Sequence, residues 1–594
     1  MIYTRNHKQG YIPGLDPFVE IMGKRRYQML QNSWAALFRS EILPVLPVDK
    51  IKSHFSEDQG RPTKELYATM GAILLQQMHD LADEETIEQF AFNMQWHYAL
   101  DITHSDDQHA YMCQRTLWAM RAMMSDLGLE EDLFQAVATK LAEVYEVDTS
   151  LQRMDSTHLC SNMKKLGRVS LFVTTIRGFL RNLERHHQAA YDALDAALRD
   201  RYTRKQWEGA FASARPAECG RTLKEVAEDL RRLVAAFHDH AEISKMSSYK
   251  KMVRLFDEQC VVTNNDGDPV ELTDESATVD AKPAKELTGA CMQNPSDPDA
   301  GYSGHKGSGY SAQIMETCTV SPEEEGLSLI THAEVEPAHC HDSAALVPAI
   351  ERSEANGLAP KQLLADTSYG SDANMQAAAD HGVDLVSPTM GSMDEGERVA
   401  LHRFEMTEEK VVACPEGHAP ERCKPGRNGG VIARFPTSVC GGCALRERCR
   451  VSKGKKGFYL RVSAKSMRLA LRRRHEQTDA FRSLYAMRAG IEATNAMAKQ
   501  KIGLGRLRVR GRKTVRFAVM LKLTTVNIYR ANAFRIRQND PKNPDGTDNG
   551  SILTQIYAHI TEMRRRTTQF FANFTTILKN VASIPTSRTA SVCA

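Results

Sequence analysis

The strand-like segments of this 594-residue chain fall into two blocks that a long helical stretch separates. The first block, DTSLQRMDSTHLC at residues 148–160, ends the helical periodicity that precedes it. The second block contains GYSAQIMETCTV, LSLITHAEVE, KQLLADTSYG and GVDLVSPTM, with helix-like segments on either side of the third. Two antiparallel strands followed by alternating helices and strands predict a mixed α/β sheet. Its first strand is remote in sequence from the others.

The length of the chain exceeds what one hydrophobic core supports. Changes in periodicity and composition divide it into six parts. The parts are a helical N-terminal domain at 1–145, a sheet-forming core at 146–168 and 300–398, a helical insertion with an acidic loop at 169–299, a Cys-rich insertion at 399–465, a basic helical part at 466–535 that completes the core, and a tail at 536–594. Together they predict a multidomain protein of mixed α+β and α/β class.

The net charge of +3 conceals a strong segregation of charge along the chain. Residues 446–535 carry 25 Lys or Arg and 4 Asp or Glu, whereas residues 1–445 carry 45 and 66. This predicts a polyanionic partner at the C-terminal third, although basic surfaces bind RNA, heparin and acidic membranes as well as DNA. Neither a run of about 18 apolar residues nor a signal peptide is found, which favours a cytoplasmic protein with no membrane partner.

Four residues at spacings of three, four and seven share one face of a predicted helix. They are Tyr485, Arg488, Glu492 and Lys499. At 3.6 residues per turn they fall in a stripe about 60° wide, and the surrounding FRSLYAMRAGIEATNAMAKQK has strong helix formers and no proline. A single carboxylate among cations is suited to hold a metal ion beside a phosphate group. Internal Glu–Lys and Glu–Arg pairs on a solvated face would use the same residues.

Two aspartates are candidates to join Glu492 at one edge of the sheet. Asp155 lies at the centre of the first strand-like segment, and Asp366 ends the apolar run LLAD, where a strand should turn. Three carboxylates repel one another unless cations lie between them, and two Mg²⁺ ions about 3.5–4 Å apart suit phosphoryl chemistry. A turn or helix cap for Asp155 and an Asx-turn for Asp366 are the alternatives.

These segments resemble the DDE transposases of bacterial insertion sequences. The spacing Tyr485-x2-Arg488-x3-Glu492-x6-Lys499 matches that family's Tyr-Arg-Glu-Lys signature. MDSTHL, GHKGSGYSAQI and LLADTSYGS resemble its blocks around the first Asp, the second strand and the second Asp. The helical stretch 51–102 resembles the N-terminal domain of many such transposases. The resemblance covers 50–530 apart from the insertion near 170–290.

The resemblance implies an RNase H-like catalytic core in which Asp155, Asp366 and Glu492 form the metal-binding triad. It implies Mg²⁺ or Mn²⁺ as cofactor, cleavage of transposon ends by an activated water, and attack of the freed 3′-OH on target DNA. Tyr485, Arg488 and Lys499 would grip phosphates near the cleaved end. The expected assembly is a homodimer that pairs two ends at the bacterial nucleoid.

A basic arm, KIGLGRLRVRGRKTVR, follows Lys499 and is expected to be a loop that tracks a phosphate backbone. The candidates for DNA contact are Tyr485, Arg488, Lys499, Lys501, Arg506, Arg508, Arg510, Arg512 and Lys513. His305 and Lys306, before the second strand, are further candidates. After the arm, FAVMLKLTTVNIYRA predicts a closing helix on the sheet, and the N-terminal helices are expected to recognise the terminal repeats.

A cluster of cysteines predicts a structural Zn²⁺ site between Asp366 and Glu492. Its expected ligands are Cys414, Cys440, Cys443 and Cys449, with Cys423 and His418 as spare candidates. Four thiolates complete a tetrahedral site and leave no open position for catalysis. Reduced, unliganded cysteines in a loop are the alternative.

Two other functions would use part of the same sequence. A non-catalytic DNA-binding regulator derived from a transposase would need the basic arm and the cysteine cluster but not the acids. A nuclease that only hydrolyses DNA would share the first chemical step with a transposase. The presence of Asp155, Asp366 and Glu492 favours the enzyme over the regulator.

Overall fold

The main strands of the central sheet form where the sequence predicts them. The computed structural model describes residues 2–538 except 6, 8–15, 57–58, 61, 203–218, 265–267, 269, 272–273, 275–276, 320–325 and 392–397, so the predicted tail lies outside it from residue 539 onward. The strands are β1 Leu151–Cys160, β2 Cys260–Thr263, β3 Thr278–Ala281, β4 Gly301–Ser303, β5 Gly307–Thr317, β6 Ile330–Pro337, β7 Gln362–Ala365, β8 Asp384–Val386, β9 Glu405–Met406, β10 Val411–Ala413, β11 Arg422–Pro425, β12 Val431–Phe435, β13 Ser452–Gly454 and β14 Gly457–Val462. Of these, β2, β3 and β4 were not predicted.

The central sheet is mixed, as predicted. β5 pairs antiparallel with β1 on one edge and with β4 and β6 on the other. β7 pairs parallel with β1, and β8 pairs parallel with β7. Three antiparallel strands beside two parallel ones are compatible with an RNase H-like core. β4 is an addition that the sequence did not predict, since a three-residue strand carries no periodicity.

A close approach at Gly309 fixes the register of β1 and β5. Gly309 pairs with Cys160 and has a φ of 151°, and a Cβ there would lie 2.1 Å from the Leu159 carbonyl oxygen. Only glycine fits this position. The same register places Asp155 opposite Ile314.

Helices precede and interrupt the sheet. Those of the N-terminal part are Pro17–Met22, Lys24–Gln31, Trp34–Leu37, Asp49–Lys52, Leu66–His79, Asp83–Phe92, Met94–Ala99, Gln114–Asp126 and Leu129–Val144. They share one core around buried side chains such as Phe38, Trp96 and Leu133, and the C-terminal helix Arg512–Gln538 contributes Phe517 and Leu521 to it. The predicted helical stretch 51–102 is confirmed in its described residues.

The insertion between β1 and β4 has a hydrophobic core of its own. Its helices are Arg168–His186, Gln188–Asp192, Ala196–Arg201, Cys219–Phe237 and Ser247–Gln259, with the β2–β3 hairpin beside them. Phe172, Phe179 and Leu233 are fully buried there. At its base, Ser161 Oγ donates to the buried Asp297, which also accepts from Tyr310 Oη at 2.6 Å. The two ends of the insertion therefore meet beside β5.

Helices cover both faces of the sheet. Leu346–Ala355 and Asp372–Asp380 lie on the face of Met154 and Met315. The opposite face, with Leu159, Ile314 and Val335, packs on Ile491–Gln500 and Arg512–Gln538. Because side chains alternate along a strand, Asp155 shares the face of Leu159, four residues on. Asp155 therefore points toward the C-terminal helices.

The predicted Cys-rich part folds as short strands around a small apolar core. β11, β12, β14 and β13 form a four-stranded sheet in that order, and β9 pairs with β10. The helix Thr437–Cys440 closes it, and Phe404, Phe435 and Phe458 are buried inside.

The stretch predicted as one helix is broken. Ala464–His475 is followed by Asp479–Ala486, a 3₁₀ turn at Met487–Gly490, and Ile491–Gln500. At the break, Arg153 Nη1 donates to the Met487 carbonyl at 2.9 Å, and a Cβ on Gly490 would lie 2.0 Å from that nitrogen. The predicted arm is a loop between Gln500 and Arg512, and the closing helix is confirmed as Arg512–Gln538.

Among the residues that the structure describes, none of the helices combines the length and the apolar character that crossing a membrane requires.

Candidate active site

Of the two predicted aspartates, Asp155 lies on β1, and Asp366 directly follows the neighbouring parallel strand β7. Met154 on β1 pairs with Ala365 on β7, so Asp155 and Asp366 are the next residues along each strand. Asp366 also forms the Asx-turn that the sequence allowed, since its carboxylate accepts from Ser368 N at 2.8 Å. The sheet therefore brings these two acids side by side at one edge.

Asp155 is mostly buried and carries an unfavourable charge. Its side chain is 13% exposed. Burial raises the pKa of Asp155, Arg488 opposes this, and the neighbouring charge of Asp366 raises the pKa further. Positive charge close to Asp155 would stabilise its carboxylate.

Arg488 lies between Asp155 and the third predicted acid. Its Nη2 is 3.2 Å from Asp155 Oδ2, and its Nη1 is 3.7 Å from Glu492 Oε1. Burial works to lower the pKa of Arg488, but the charges of Asp155 and Asp366 help to raise it. Three acids thus surround one guanidinium. Glu492 is 69% exposed in the first turn of Ile491–Gln500 and faces solvent.

No group of three or more His, Cys, Asp or Glu side chains within the described ranges is arranged to hold a metal ion. At the acids, the guanidinium of Arg488 contacts two of the carboxylates. The predicted metal ligation by Asp155, Asp366 and Glu492 stays a prediction.

Tyr485 and Asn495 complete the surroundings of the acids. Tyr485 stacks on Phe481 with ring centroids 5.8 Å apart. Burial raises the pKa of Tyr485, with Arg488 opposing and the two aspartates adding to the rise, so this phenol lies close to the site. Asn495 Nδ2 donates to Asp155 Oδ2 at 3.5 Å. Sequence reasoning missed Asn495, which is three residues beyond Glu492 and could have been found on the same helix face.

A buried ion cluster behind the acids was also missed. Glu316 on β5 is fully buried between Arg153 of β1 and Arg530 of Arg512–Gln538. Thr494 Oγ1 donates to Glu316 at 2.6 Å. Its sequence signal is an acid inside the strand-like segment QIMETC.

Two lysines lie near His158, three residues after Asp155. Burial, then the charges of Lys306 and Lys499, lower the pKa of His158. Lys306 donates to Ser156 Oγ at 3.0 Å and lies 3.4 Å from Asp342. Lys499 is exposed, as is His305 at the tip of the β4–β5 hairpin. Lys306 is therefore held by protein groups beside the first acid.

Several residues of the predicted basic arm contact other parts of the chain. Arg508 donates to the Asp80 carbonyl at 2.9 Å, Lys513 pairs with Asp126 at 2.6 Å, and Arg510 bonds to the Asn162 carbonyl. Arg512 donates to the Val335 carbonyl at 3.2 Å, and the Lys501 ammonium lies 3.9 Å from the Tyr529 ring centroid. Arg506 is exposed. These contacts tether the loop to the domains around it.

The cysteines of the predicted zinc site lie in one region. Burial raises the pKa of Cys440 to about 11, and Cys449, Cys414 and Cys443 add to the rise, although these four described cysteines are not arranged as a metal site. They are reduced. Cys423 Sγ contacts the Val411 carbonyl at 3.4 Å, and the His418 carbonyl accepts from Cys414 N at 2.9 Å.

Two family models match the chain. Residues 413–531 match a model described as Transposase DDE domain, and residues 30–122 match one described as Transposase domain (DUF772). The first match includes the cysteine cluster, Glu492 and the basic arm, while Asp155 and Asp366 lie outside it. Among curated proteins, none matches the chain.

The matches, on a sheet compatible with an RNase H-like core, support a transposase function for this protein. More particularly, they confirm the resemblance to DDE-type insertion-sequence transposases. A DDE domain implies nuclease and transposition activity in general, transposases act on DNA, and the family generally uses divalent metal ions.

Proposed function

We propose that this transposase cleaves transposon ends in a metal-dependent reaction and transfers the freed 3′-OH to target DNA. Asp155, Asp366 and Glu492 are the proposed catalytic and metal-binding residues. The observation that carries the proposal is the adjacency of Asp155 and Asp366 at neighbouring parallel strands, with Arg488 joining Asp155 to Glu492.

The donor set suits Mg²⁺ or Mn²⁺. Carboxylate oxygens are the ligands that these ions prefer, and the raised pKa of Asp155 reflects a buried carboxylate beside a second negative charge. When bound, the ions would activate the attacking oxygen and stabilise the leaving one. Glu492 is exposed and can turn toward the aspartates when Arg488 moves onto a phosphate.

The cationic residues would hold the DNA backbone. Arg488 offers a planar fork that matches a phosphate, and Lys499 offers a compact charge two turns further along the helix. Tyr485 lies beside them. The arm residues Lys501, Arg506, Arg508, Arg510, Arg512 and Lys513 extend the same basic surface. Their mostly exposed internal pairs are weak and can be exchanged for phosphate contacts.

A structural Zn²⁺ site at Cys414, Cys440, Cys443 and Cys449 is part of the proposal. The mutual effect of these thiols on the pKa of Cys440 supports it, because that effect requires proximity. Four soft sulfur donors are the ligand set that Zn²⁺ prefers, and the site would pin the short strands β9–β14.

The six-part domain division and a homodimeric complex with two DNA ends are proposed as well. In this arrangement the N-terminal helices would recognise the terminal repeats. The nucleoid is the proposed location in the cell.

The test is cleavage of a labelled duplex that carries the DNA flanking the reading frame. Asp155→Asn, Asp366→Asn and Glu492→Gln should each abolish Mg²⁺-dependent cleavage and retain DNA binding. Glu354→Gln, a matched change in an exposed acid that pairs with His381, should cleave like the unmodified protein. Full cleavage by any variant of the three acids would refute the assignment.

The same assay separates the alternatives. DNA retention without cleavage by the unmodified protein would point to a DNA-binding regulator. Nicked or cut product without joined product would point to a nuclease that only hydrolyses DNA.

A further inference from the structure

We propose that Glu316 is a positioning residue that fixes the strand of Asp155 against the helix of Glu492 and so sets the metal affinity of the site. This inference rests on the metal site proposed above. Glu316 itself is 0% exposed and does not reach solvent, so it is not a fourth catalytic acid.

Both carboxylate oxygens of Glu316 are fully engaged by protein donors. Oε1 accepts from Arg153 Nε at 2.8 Å and lies 2.7 Å from Arg153 Nη2. Oε2 accepts from Arg530 Nη1 at 2.8 Å and from Thr494 Oγ1 at 2.6 Å. Arg530 also donates to Thr494 Oγ1, which closes the network.

The partners of Glu316 are the segments that carry the acids. Arg153 is two residues before Asp155 on β1 and shares its face of the sheet. Thr494 is two residues after Glu492 on Ile491–Gln500. Glu316 thus holds the strand of the first acid and the helix of the third by direct hydrogen bonds.

Arg153 also links Glu316 to the turn that carries Arg488. Its Nη1 donates to the Met487 carbonyl at 2.9 Å, and Gly490 lies so close that a Cβ would approach that nitrogen to 2.0 Å. The turn therefore packs closely against the Arg153 guanidinium.

Such a cluster fixes geometry more than it adds stability. Replacing a buried ion network with apolar side chains of equal volume is often neutral or stabilising. Directed hydrogen bonds to charged groups, in contrast, set the position of a helix over a strand more narrowly than apolar contacts do. Groups that orient metal ligands typically change metal affinity about 10–100-fold when they are removed.

Titration of the full chain with Mn²⁺ in a calorimeter, without DNA, tests the inference. Thr494→Val keeps the volume of this fully buried side chain and removes only the hydroxyl, so it should weaken Mn²⁺ binding about 10-fold. Thr494→Ser keeps the hydroxyl and should restore the affinity. Glu316→Gln should weaken binding at least as much as Thr494→Val.

Glu334→Gln is the matched control, because Glu334 is a mostly buried acid on β6 that pairs with two arginines. It should lose thermal stability and bind Mn²⁺ like the unmodified protein. If Thr494→Val binds Mn²⁺ like Thr494→Ser, the positioning role is overturned. If the unmodified protein and Asp155→Asn bind Mn²⁺ equally, the metal site itself is refuted.

Discussion

Arg516 fastens the N-terminal helices to the edge strand of the sheet, and its loss should reduce stability in a pH-dependent way. Arg516 Nε lies 2.9 Å from Glu334 Oε1 on β6, and Nη1 lies 2.6 Å from Glu130 on the helix Leu129–Val144. The guanidinium also contacts Glu131. One side chain, 20% exposed, therefore joins two parts of the chain that are far apart in sequence.

The pKa of Glu334 gives the size of the effect. Burial alone would raise this pKa, but hydrogen bonds and charge from Arg516, with help from Arg352, lower it to about 2 from 4.5. The difference corresponds to about 3 kcal/mol of folding free energy at neutral pH. Because the folded-state pKa is depressed, this stabilisation is present above pH 4.5 and is lost as the pH falls through about 2.

Arg516→Met should therefore lower the free energy of unfolding by about 3 kcal/mol at pH 7, and the deficit should narrow by about 1 kcal/mol at pH 3.5. Urea unfolding followed by tryptophan fluorescence is the assay, since Trp34, Trp96 and Trp118 all lie in the N-terminal helices. Arg352→Met is the control. Arg352 is 43% exposed, so its loss should cost less than about 1 kcal/mol. Equal deficits for the two variants, or a deficit that does not change with pH, would refute the reasoning.

Three further predictions concern the site and its surroundings. Arg488→Ala should raise the pKa of Asp155 further, because it removes the cation that opposes burial, and the acid limb of the cleavage pH profile should move to higher pH; an unchanged limb would contradict this. Lys499→Ala should reduce the slope of log affinity for DNA against log salt by about 1, whereas Arg221→Ala on the insertion should leave the slope unchanged. Purified protein should contain about one zinc per chain by elemental analysis, and Cys440→Ser should release it; zinc-free unmodified protein would dismiss the site.

The strands around Asp155 and Asp366 were predictable because their sequence signals are local. β1, β5, β6, β7 and β8 have apolar residues at strand spacing and are bounded by turn residues. Asp366 follows a short apolar run and precedes Thr-Ser-Tyr-Gly, which identifies a strand end. Their pairing into one mixed sheet follows from the order of strands and helices.

The break in the signature helix was not predictable from propensity. The residues around Gly490 favour a continuous helix, whereas the structure has a 3₁₀ turn there that contacts Arg153, more than 300 residues earlier in the sequence. The prediction of four residues on one helix face was therefore only partly right. Across the turn, Arg488 contacts Asp155, and Glu492 lies 3.7 Å from Arg488.

The partners of the basic arm were likewise hidden from sequence analysis. The pattern of alternating arginines indicates a solvated, phosphate-tracking loop. That Arg508 contacts Asp80 and Lys513 contacts Asp126 depends on how the N-terminal helices pack against the core. Glu316 was missed for a related reason, since its role depends on Arg530 and Thr494, which only the fold brings near.

The closure at the base of the insertion has a consequence for how this protein can vary. Ser161 and Asp297 are hydrogen-bonded although 136 positions separate them. The helical insertion therefore leaves the sheet and returns to it at one point. The entropy of closing such a loop grows only with the logarithm of its length. Helices of the insertion can therefore be shortened, lengthened or exchanged while β1 and β5 stay aligned. New surfaces can arise in this region without a change in the positions of the acids.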